Sequence, residues 1–541
     1  MSNLAEWRQK PWVRENLPKW KLGFKFFGRF FMSVLFLGMV IGGIVALVLL
    51  QDQIAAPGAQ YDFFGTFIPI RTIVIIAGLV LFGVGGYGSI VVIIMVVKFL
   101  QKKSFRLSAA PKITAVGVIV LAIVGVGYYF PFWYIELGFG TPKFGPYLAI
   151  HGENSMLISW DTTKSKESSL FWGTNAADLS NEIVATEHYW DANKVSLHHS
   201  VVLSGLVPGE TYYYWVPDIS KEVYSFKAAP SPSSGEPVTF MMVADTQGGY
   251  NIQKRNIDLM IQNSDEISFM CIAGDLTNRN DGMSEWAMLF DQRSYGRLAT
   301  TTPWMNCPGN HETYCVVEGC GYRTNYKKYF QYNYPNGRET LEGMADYGLY
   351  YSYNYSNVHM VALDCLENST LGGYFSDTQL QWLEEDLARN TNIWKFVYFH
   401  YPMYSMGDFT SEVKMAKILE PIFYKYGVDA VFYGHDHHFE SYLVNGTESY
   451  GGTYHFVVGG GGGGIDPLTN TEKYGARAWP SDTIRVSESD GRFDEIYGHE
   501  YQLMGVLTNH FMKVEVNGDI ATFTAIRTDD GTTIVKYTVN R

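Results

Sequence analysis

Cysteine and basic residues are both scarce in most of this 541-residue chain. It has five cysteines, an odd number that leaves at least one thiol unpaired within the chain. After residue 112 it carries only 28 Lys and Arg against 50 Asp and Glu, whereas residues 1–112 carry 13 against 4. This contrast excludes a single uniform soluble domain. Because a nucleic-acid-binding protein needs a basic face to neutralise phosphates, the acidic bulk also argues against a nucleic-acid partner.

Charge is absent altogether from three long apolar runs, at residues 30–50, 72–97 and 113–135. Each run reaches the ~20 residues that a helix needs to cross lipid. Backbone polar groups in lipid must be hydrogen-bonded within the segment, which favours helices. The sequence therefore predicts an α-helical membrane anchor of three spans within residues 1–140.

Basic residues around these runs predict the topology. Seven precede the first run and five lie between the second and third, whereas the loop at residues 51–71 has one. The positive-inside rule then places the N-terminus in the cytoplasm and all that follows the third span outside. We expect a multi-pass protein of the cell membrane, with the lipid bilayer as a partner and extracytoplasmic domains. Disulfides persist there, and Cys315 and Cys320 are close enough in sequence to bridge.

Short alternating strands separated by polar turns follow the predicted anchor. This pattern predicts a small all-β sandwich over residues 141–228. The stretch from Leu206 to Tyr214 resembles the corner of a fibronectin type III domain, where a Leu and aromatic residues fill the space between two sheets. Residues 229–237 are rich in Pro, Ser and Gly, which is typical of a linker.

Apolar runs alternate with helix-length segments in the rest of the chain, which predicts an α/β layered domain over residues 238–541. A helix is predicted at residues 376–390, with Ser376 opening a capping box. The predicted buried strands are residues 238–244, 267–273, 359–363, 394–399 and 430–433.

Residue types that bind metals stand at the ends of these strands. In chain order they are Asp245, Gly274-Asp275, Gly309-Asn310-His311-Glu312, His400 and Gly434-His435-Asp436-His437. Loops at the carboxyl ends of strands in an open α/β sheet meet in one crevice. Two divalent cations about 3.5 to 4 Å apart need a bridging carboxylate and several nitrogen or oxygen ligands. The series therefore predicts a dinuclear metal centre.

This ordered series resembles that of the purple acid phosphatases, in which a fibronectin-like domain precedes a calcineurin-like metallophosphoesterase domain. The resemblance covers residues 142–541 and implies that Asp275 bridges the two metals. It also implies that His311 gives a proton to the leaving oxygen, while a hydroxide held between the cations attacks phosphorus. The remaining ligands that it implies are Asp245 and His437 for the first metal, and Asn310, His400 and His435 for the second.

Two positions depart from the family pattern. Purple acid phosphatases place a Tyr three residues after the bridging Asp, where it binds ferric iron and gives the colour, but this chain has Asn278 there. Other metallophosphoesterases place a His two residues after the first Asp, but this chain has Gln247. An amide oxygen from Gln247 favours a hard divalent ion such as Mn²⁺ or Mg²⁺ over Fe³⁺. We expect a colourless protein with two divalent ions, whose identity among Mn, Mg, Zn and Fe stays open.

Other residues near these motifs are candidates for contacts with the ligands or with substrate, namely Glu312, Asn278, His438 and Tyr404. Glu312 either orients His311 or is a solvated loop acid. Tyr404 lies in the loop after His400, where the related plant enzymes place extra His residues, so their substrate preference does not carry over. The glycine run at residues 459–464 lets the backbone approach a ligand or bend sharply, and a flexible rim is the neutral alternative.

The leading interpretation is a membrane-anchored extracytoplasmic phosphohydrolase, an acid phosphatase-like phosphomonoesterase. The acidic balance after residue 112 disfavours long polyanions and favours small phosphate esters. The anchor beside the bilayer leaves open a phosphodiesterase or a pyrophosphatase that acts on lipid-linked phosphates. A further alternative is a catalytically inactive surface binding module. The oligomeric state also stays open.

Overall fold

The computed structural model describes most of the chain after residue 143 and two short strands before it. The chain divides into two compact units, Met1–Phe130 and Pro131–Arg541. The described residues are 60–63, 66–69, 144–162, 167–185, 187–190, 197–315, 323–335, 349–367, 374–407, 411–444, 452–465, 477–479, 483–485 and 502–541.

In the first unit the described residues form one antiparallel hairpin, β1 (Gln60–Phe63) and β2 (Thr66–Pro69). The three predicted spans, at residues 30–50, 72–97 and 113–135, lie outside the described residues, so the membrane anchor stays a prediction. Within the described part of the chain, no helix combines the length and the apolar character that crossing a bilayer requires.

The second unit begins with a β-sandwich. Its strands are β3 (Phe144–Gly152), β4 (Ser155–Thr162), β5 (Ser169–Gly173), β6 (Asn181–Val184), β7 (Glu187–Trp190), β8 (Leu197–Ser204), β9 (Thr211–Trp215) and β10 (Tyr224–Lys227). They form two four-stranded antiparallel sheets, β3-β4-β8-β7 and β10-β9-β5-β6. Trp160, Leu170 and Tyr214 are buried in a shared core, because alternate residues of each strand point inward. The predicted β-sandwich is confirmed, whereas its closer likeness to a fibronectin type III domain stays a prediction.

Strands and helices alternate in the α/β domain that follows. Its strands are β11 (Val238–Val243), β12 (Phe269–Ala273), β13 (Trp304–Cys307), β14 (Tyr351–Tyr355), β15 (Val358–Ala362), β16 (Trp394–Tyr398), β17 (Ala430–Tyr433), β18 (Phe439–Val444), β19 (Thr453–Val458), β20 (Arg477–Trp479), β21 (Thr483–Arg485), β22 (Gln502–Val506), β23 (His510–Asn517), β24 (Ile520–Arg527) and β25 (Thr533–Asn540). Its helices are α1 (Tyr250–Gln262), α2 (Met283–Leu289), α3 (Gly296–Ala299), α4 (Thr324–Tyr329), α5 (Asp377–Arg389) and α6 (Val413–Tyr426), with a 3₁₀ turn at His311–Thr313.

Two sheets of this domain share one core. Their strand orders are β13-β12-β11-β23-β24-β25 and β14-β15-β16-β17-β19-β18-β22-β21-β20. The central strands β11 to β13 and β15 to β17 run parallel, and such strands are apolar throughout because both faces are covered. The ring of Phe240 on β11 lies 5.7 Å from that of Phe396 on β16. The five predicted buried strands are confirmed as β11, β12, β15, β16 and β17, with ends that differ by at most two residues.

Helix α5 begins as the sequence predicts, but only half of the capping box forms. Ser376 Oγ accepts a hydrogen bond from the backbone N–H of Gln379 at 3.0 Å. The side chain of Gln379 instead bonds the backbone of Asp364, which follows β15. Gln379 therefore ties the start of the helix to the end of a central strand.

A buried ion pair joins the sandwich to the α/β domain. Lys328 Nζ on α4 lies 2.7 Å from Asp161 Oδ2 on β4, and His198 Nδ1 on β8 lies 2.7 Å from the other oxygen of Asp161. Burial alone raises the pKa of Asp161, but Lys328 and His198 outweigh it and hold that pKa well below its usual value. Because both charges are buried, removing the Asp161 carboxylate would leave the Lys328 ammonium without this partner.

Replacing Asp161 by Ala is expected to lower the free energy of unfolding by on the order of 3 kcal/mol, because the Lys328 ammonium then stays buried without its carboxylate. The midpoint of urea-induced unfolding of the full chain measures this. The double variant Asp161→Leu/Lys328→Met should recover part of the loss, since both charges are gone. Glu384→Ala, which removes the exposed partner of Lys425, is the control and should leave the midpoint nearly unchanged. Equal losses in the single and double variants would contradict this account.

Candidate metal centre

Two aspartates stand in left-handed backbone conformation at the ends of adjacent parallel strands. Asp245 follows β11 with φ 58°, and Asp275 follows β12 with φ 54°. Such angles cost on the order of 1 kcal/mol for a residue with a Cβ, and they cluster at functional sites. The Asp245 N–H donates to Gly274 O at 3.1 Å, and the Thr246 N–H donates to Asp275 O at 3.0 Å. The two loops therefore stay paired beyond their strands, and both carboxylates are buried.

Glu312 holds the Asp275 loop against the next ligand loop. It is fully buried, and its carboxylate accepts hydrogen bonds from the backbone N–H groups of Asp275 (3.0 Å), Leu276 (2.8 Å) and Gly309 (2.7 Å). Burial, and then the charge of Asp275, raise the pKa of Glu312 to about 7. Neither role considered from the sequence is correct, because Glu312 is not solvated and its carboxylate bonds backbone groups rather than the ring of His311.

Three histidines of the site are held by backbone carbonyls through the same ring nitrogen. The pairs are His400 Nδ1 with Ala273 O (2.9 Å), His437 Nδ1 with Gly464 O (2.7 Å) and His311 Nδ1 with Asn278 O (2.8 Å). An Nδ1–H that donates to a carbonyl leaves the Nε2 lone pair of the neutral ring available, as in metal-bound histidines. Nε2 of His400 lies 3.1 Å from Asp275 Oδ2, and Nε2 of His437 lies 3.4 Å from Asp245 Oδ1.

Asn310 and His435 complete one side of the cluster. Asn310 Oδ1 lies 3.0 Å from His400 Nε2. One ligand atom from each of Asp275, His400 and His435 lies within 4.8 Å of the other two. His435 also has a left-handed backbone, with φ 74°, and its N–H donates to Asp245 Oδ2 at 2.8 Å. The structure thus brings together the four residues that the resemblance assigns to the second metal and the bridge.

Asp245, Gln247 and His437 form the other side. Gln247 Nε2 lies 3.2 Å from His437 Nε2. Asp245 Oδ1 and Gln247 Oε1 are buried and have no hydrogen-bond partner among the described residues. Leaving a buried polar atom unpaired costs about 1 to 3 kcal/mol. These two oxygens, beside a histidine nitrogen, fit the ligands of a hard divalent cation.

The electrostatics of the cluster favour positive charge at its centre. Burial raises the pKa of Asp245, although His400 and His437 oppose the shift. Burial lowers the pKa of His400, but the carboxylates of Asp275 and Asp245 outweigh it and raise that pKa to about 9. The pKa of His435 falls to about 3 because of burial and the neighbouring His400. Two buried carboxylates this close need a compensating charge, which either protons or cations supply.

His311 lies at the open edge of the cluster. Its side chain is 28% exposed, and its Nε2 lies 3.7 Å from Asp275 Oδ2. Asn278, which occupies the position of the iron-binding Tyr, contributes its backbone carbonyl to the ring of His311. The contact that Asn278 makes with the site therefore does not depend on its side chain.

Two predicted substrate contacts lie elsewhere. His438 is fully buried, with Nε2 2.5 Å from Glu440 Oε1. Tyr404 is also buried, and its hydroxyl donates to Glu420 Oε1 at 3.0 Å. Both side chains are buried in the interior, which argues against the contact with substrate for which they were candidates.

The glycine run at residues 459–464 is packed against the ligand loops, which agrees with a close approach of its backbone to a ligand and not with a flexible rim. Its first five residues are buried. The Gly463 N–H donates to Asp245 O at 2.7 Å, and a Cβ on Gly463 would lie 2.7 Å from the ring of His437. Only glycine allows so close an approach of backbone to a ligand side chain.

Tyr314 and Tyr401 flank the cluster, although the sequence predicted no role for Tyr314 and placed Tyr401 only in the loop after His400. The ring of Tyr314 lies 4.9 Å from that of His311, and its hydroxyl accepts a hydrogen bond from Asn310 Nδ2 at 3.2 Å. The ring of Tyr401 lies 4.5 Å from that of His435. The only signal in the sequence is an aromatic residue beside a ligand motif, which is common in buried segments.

Comparisons with known proteins agree with this architecture. Residues 144–228 match the purple acid phosphatase N-terminal domain family, and residues 238–439 match the calcineurin-like phosphoesterase family. Purple acid phosphatase 21 of Arabidopsis thaliana is 29% identical over 342 residues, which cover 60% of this chain and 73% of that protein. Acid phosphatase A of Cryphonectria parasitica is 24% identical over 410 residues, which cover 60% of this chain and 81% of that protein.

A solved purple acid phosphatase, PPD1 from seeds of yellow lupin (Lupinus luteus), has the same fold. The TM-score is 0.56 at 18% identity, over 74% of this chain and 75% of the lupin chain. The fold and both family matches support a purple acid phosphatase-like metallophosphoesterase, with the sandwich matching the N-terminal domain and the α/β domain matching the calcineurin-like phosphoesterases. By class it is a metal-dependent phosphoric ester hydrolase, and this family uses a dinuclear metal centre.

The variant Gly309→Ala is expected to lose tight metal binding, because a Cβ there would lie 2.2 Å from Asp275 Oδ1 and 2.4 Å from the Asp275 nitrogen. Contacts so short force the two ligand loops apart. Gly464→Ala is the matched control, since no atom of the described residues, apart from those of its chain neighbours, lies within 4 Å of its Cβ, and it should keep its metal. The measurement is metal content per chain after dialysis, by mass spectrometry. Normal metal content in the Gly309 variant would contradict this geometry.

Proposed function

We propose that the chain is a membrane-anchored phosphomonoesterase whose active site lies outside the cell membrane and holds two divalent cations. The main observation behind the proposal is that ligand atoms from separate strand-end loops lie close together around Asp275 and Asp245. Unpaired buried oxygens on Asp245 and Gln247 support the presence of cations.

Each ligand residue has a role in this proposal. Asp275 would hold both cations, which would neutralise charge on the phosphoryl oxygens and lower the pKa of the attacking water. The His311 N–H donates to Asp275 Oδ1 at 2.8 Å, and the Asp275 N–H donates to the Glu312 carboxylate at 3.0 Å, so the Asp275 carboxylate and its loop are held in place. The other assigned ligands are Asp245, Gln247 and His437 for the first cation, and Asn310, His400 and His435 for the second.

His311 is assigned to the leaving group. The bond between its Nδ1 and Asn278 O fixes the ring, so that Nε2 stays at the open edge beside Asp275. An imidazole there can give a proton to the ester oxygen as the bond to phosphorus breaks. The departing alcohol then leaves uncharged.

The proposed substrates are small phosphate esters, and the proposed cations are hard divalent ions. The acidic balance after residue 112 disfavours long polyanions. The first side offers a carboxylate oxygen, an amide oxygen and an imidazole, a set that suits Mn²⁺ or Mg²⁺. Asn278 has no phenolate oxygen, so the proposal keeps the expectation of a colourless protein.

Replacing Asp275 by Asn is expected to lower the kcat for phenyl phosphate by at least about 100-fold, because an amide cannot supply the negative charge that bridges two cations. Hydrolysis is measured with Mn²⁺, Mg²⁺, Zn²⁺ and iron in turn, and circular dichroism checks the fold. Asp258→Asn, on the exposed face of α1 where Asp258 pairs with Arg297, is the control and should keep full activity. Retained hydrolysis in the Asp275 variant would overturn the site assignment.

The extracytoplasmic location rests on the apolar runs and on a disulfide. Cys315 is disulfide-bonded, with its partner outside the described residues, and disulfides persist in oxidising compartments. The cysteines that are free are Cys271, Cys307 and Cys365, all buried.

Protease added to intact cells is expected to remove an epitope tag placed after Arg541, since the C-terminal domain should be exposed outside. A tag before Met1 should be degraded only after the membrane is permeabilised. Immunoblots of both tagged chains report the outcome, and a C-terminal tag that is protected in intact cells would refute the proposed topology.

A further inference from the structure

Two phenol rings stand beside the two histidines at the edge of the metal cluster. Tyr314 meets the ring of His311 edge-on at 4.9 Å, and Tyr401 lies 4.5 Å from the ring of His435. Tyr314 is 48% exposed and Tyr401 is partly exposed. We call these two residues the tyrosine pair. Half-exposed aromatic rings next to a reaction site are available to contact the part of a substrate that extends beyond the phosphate.

Both histidines that the tyrosine pair contacts lie close to the Asp275 carboxylate. His311 Nε2 lies 3.7 Å from Asp275 Oδ2, and a ring nitrogen of His435 lies within 4.8 Å of an Asp275 oxygen. A phosphate bound over Asp275 therefore has aromatic surface beside it.

Tyr314 is fixed in place although it is not buried. Its hydroxyl accepts a hydrogen bond from Asn310 Nδ2 at 3.2 Å, while Asn310 Oδ1 lies 3.0 Å from His400 Nε2. The bond sets which end of the Asn310 amide faces the ligand cluster. A ring held this way loses little conformational entropy when a ligand packs against it.

The position of Tyr314 beside His311 decides which part of a substrate it meets. His311 is assigned to the leaving oxygen, so the alcohol attached to that oxygen lies next to the Tyr314 ring. Two aromatic rings prefer offset or edge-to-face contacts, which a saturated ring of the same size does not reproduce. The contact therefore favours a flat leaving group.

We propose that Tyr314, together with Tyr401, makes this enzyme select phosphate monoesters whose alcohol carries an aromatic ring close to the ester oxygen. The inference rests on the proposed phosphomonoesterase function and names its substrate class. In the reaction, water forms a new bond to phosphorus while the bond from phosphorus to the alcohol oxygen breaks. The alcohol oxygen takes a proton from His311, and the proton that the attacking water releases restores the protonated His311. The products are inorganic phosphate and an aromatic alcohol.

The test compares benzyl phosphate with cyclohexylmethyl phosphate, two primary alkyl esters of similar size. The leaving group of the first carries a flat aromatic ring, and that of the second carries a saturated ring. The full-length wild-type chain should have the higher kcat/KM for benzyl phosphate. Tyr314→Ala should lower the benzyl-to-cyclohexylmethyl ratio of kcat/KM about 3- to 10-fold. Tyr314→Leu keeps apolar bulk for the fold, and it should lower the ratio as well.

The variant Tyr314→Phe distinguishes the effect of the ring from the effect of its hydroxyl. It keeps the aromatic contact, so the ratio should stay as in the wild type, while kcat falls equally for both esters because the Asn310 amide loses its partner. Tyr424→Ala removes an equally exposed tyrosine, 48%, from helix α6 and should change neither value. Metal content per chain is measured for every variant, so that loss of cations is recognised.

Three results would overturn the inference. One is an unchanged ratio in both Tyr314→Ala and Tyr314→Leu, and another is a ratio that falls as far in Tyr314→Phe as in those variants. The third is a wild-type chain that hydrolyses both esters with equal kcat/KM. A wild-type chain that hydrolyses neither ester at any metal loading would instead refute the proposed phosphomonoesterase function, and the inference would fall with it.

Discussion

Two aspartate carboxylates, Asp245 and Asp275, are held almost entirely out of water at the ends of adjacent strands. Removing a carboxylate from water costs several kcal/mol unless positive charge or hydrogen bonds replace the lost solvation. Here the Nε2 of His400 lies 3.1 Å from one of them and 4.0 Å from the other. Protonated imidazoles can balance these two charges in part, and two divalent cations would complete the balance. Cations would also explain why the amide oxygens of Asn310 and Gln247 lie beside the carboxylates.

The backbone, more than the side chains, fixes where the two carboxylates lie. Left-handed conformations at Asp245 and Asp275 are kept by hydrogen bonds between their loops and by the carboxylate of Glu312. Glycine is required beside them, since a Cβ on Gly434 would lie 2.4 Å from Asp245 Oδ2 and one on Gly274 would lie 2.5 Å from His400 Nδ1. The glycines that precede the ligands in the sequence motifs therefore make room for the neighbouring ligand, and the strain at the aspartates is supported by the surrounding loops.

The sequence was sufficient to predict the features of the fold and the site that follow from a local pattern of residues. Apolar runs predict the parallel strands. Because the carboxyl ends of such strands converge, the sequence also predicts that Asp245, Asp275 and His400 lie close together. The sequence could not predict features that depend on side chains buried between segments far apart in the chain. The Asp161–Lys328 pair spans 167 positions, and nothing local in the sequence distinguishes a buried Glu312 from a solvated one. The same applies to the buried Tyr404, whose hydroxyl donates to Glu420 on α6.

Anomalous diffraction from crystals grown with Mn²⁺ tests the central claim most directly. The account predicts two peaks per chain about 3.5 to 4 Å apart, one against Asp245 and His437 and one against Asn310 and His435, with Asp275 between them. A single peak, or peaks that lie away from Asp275, would contradict it.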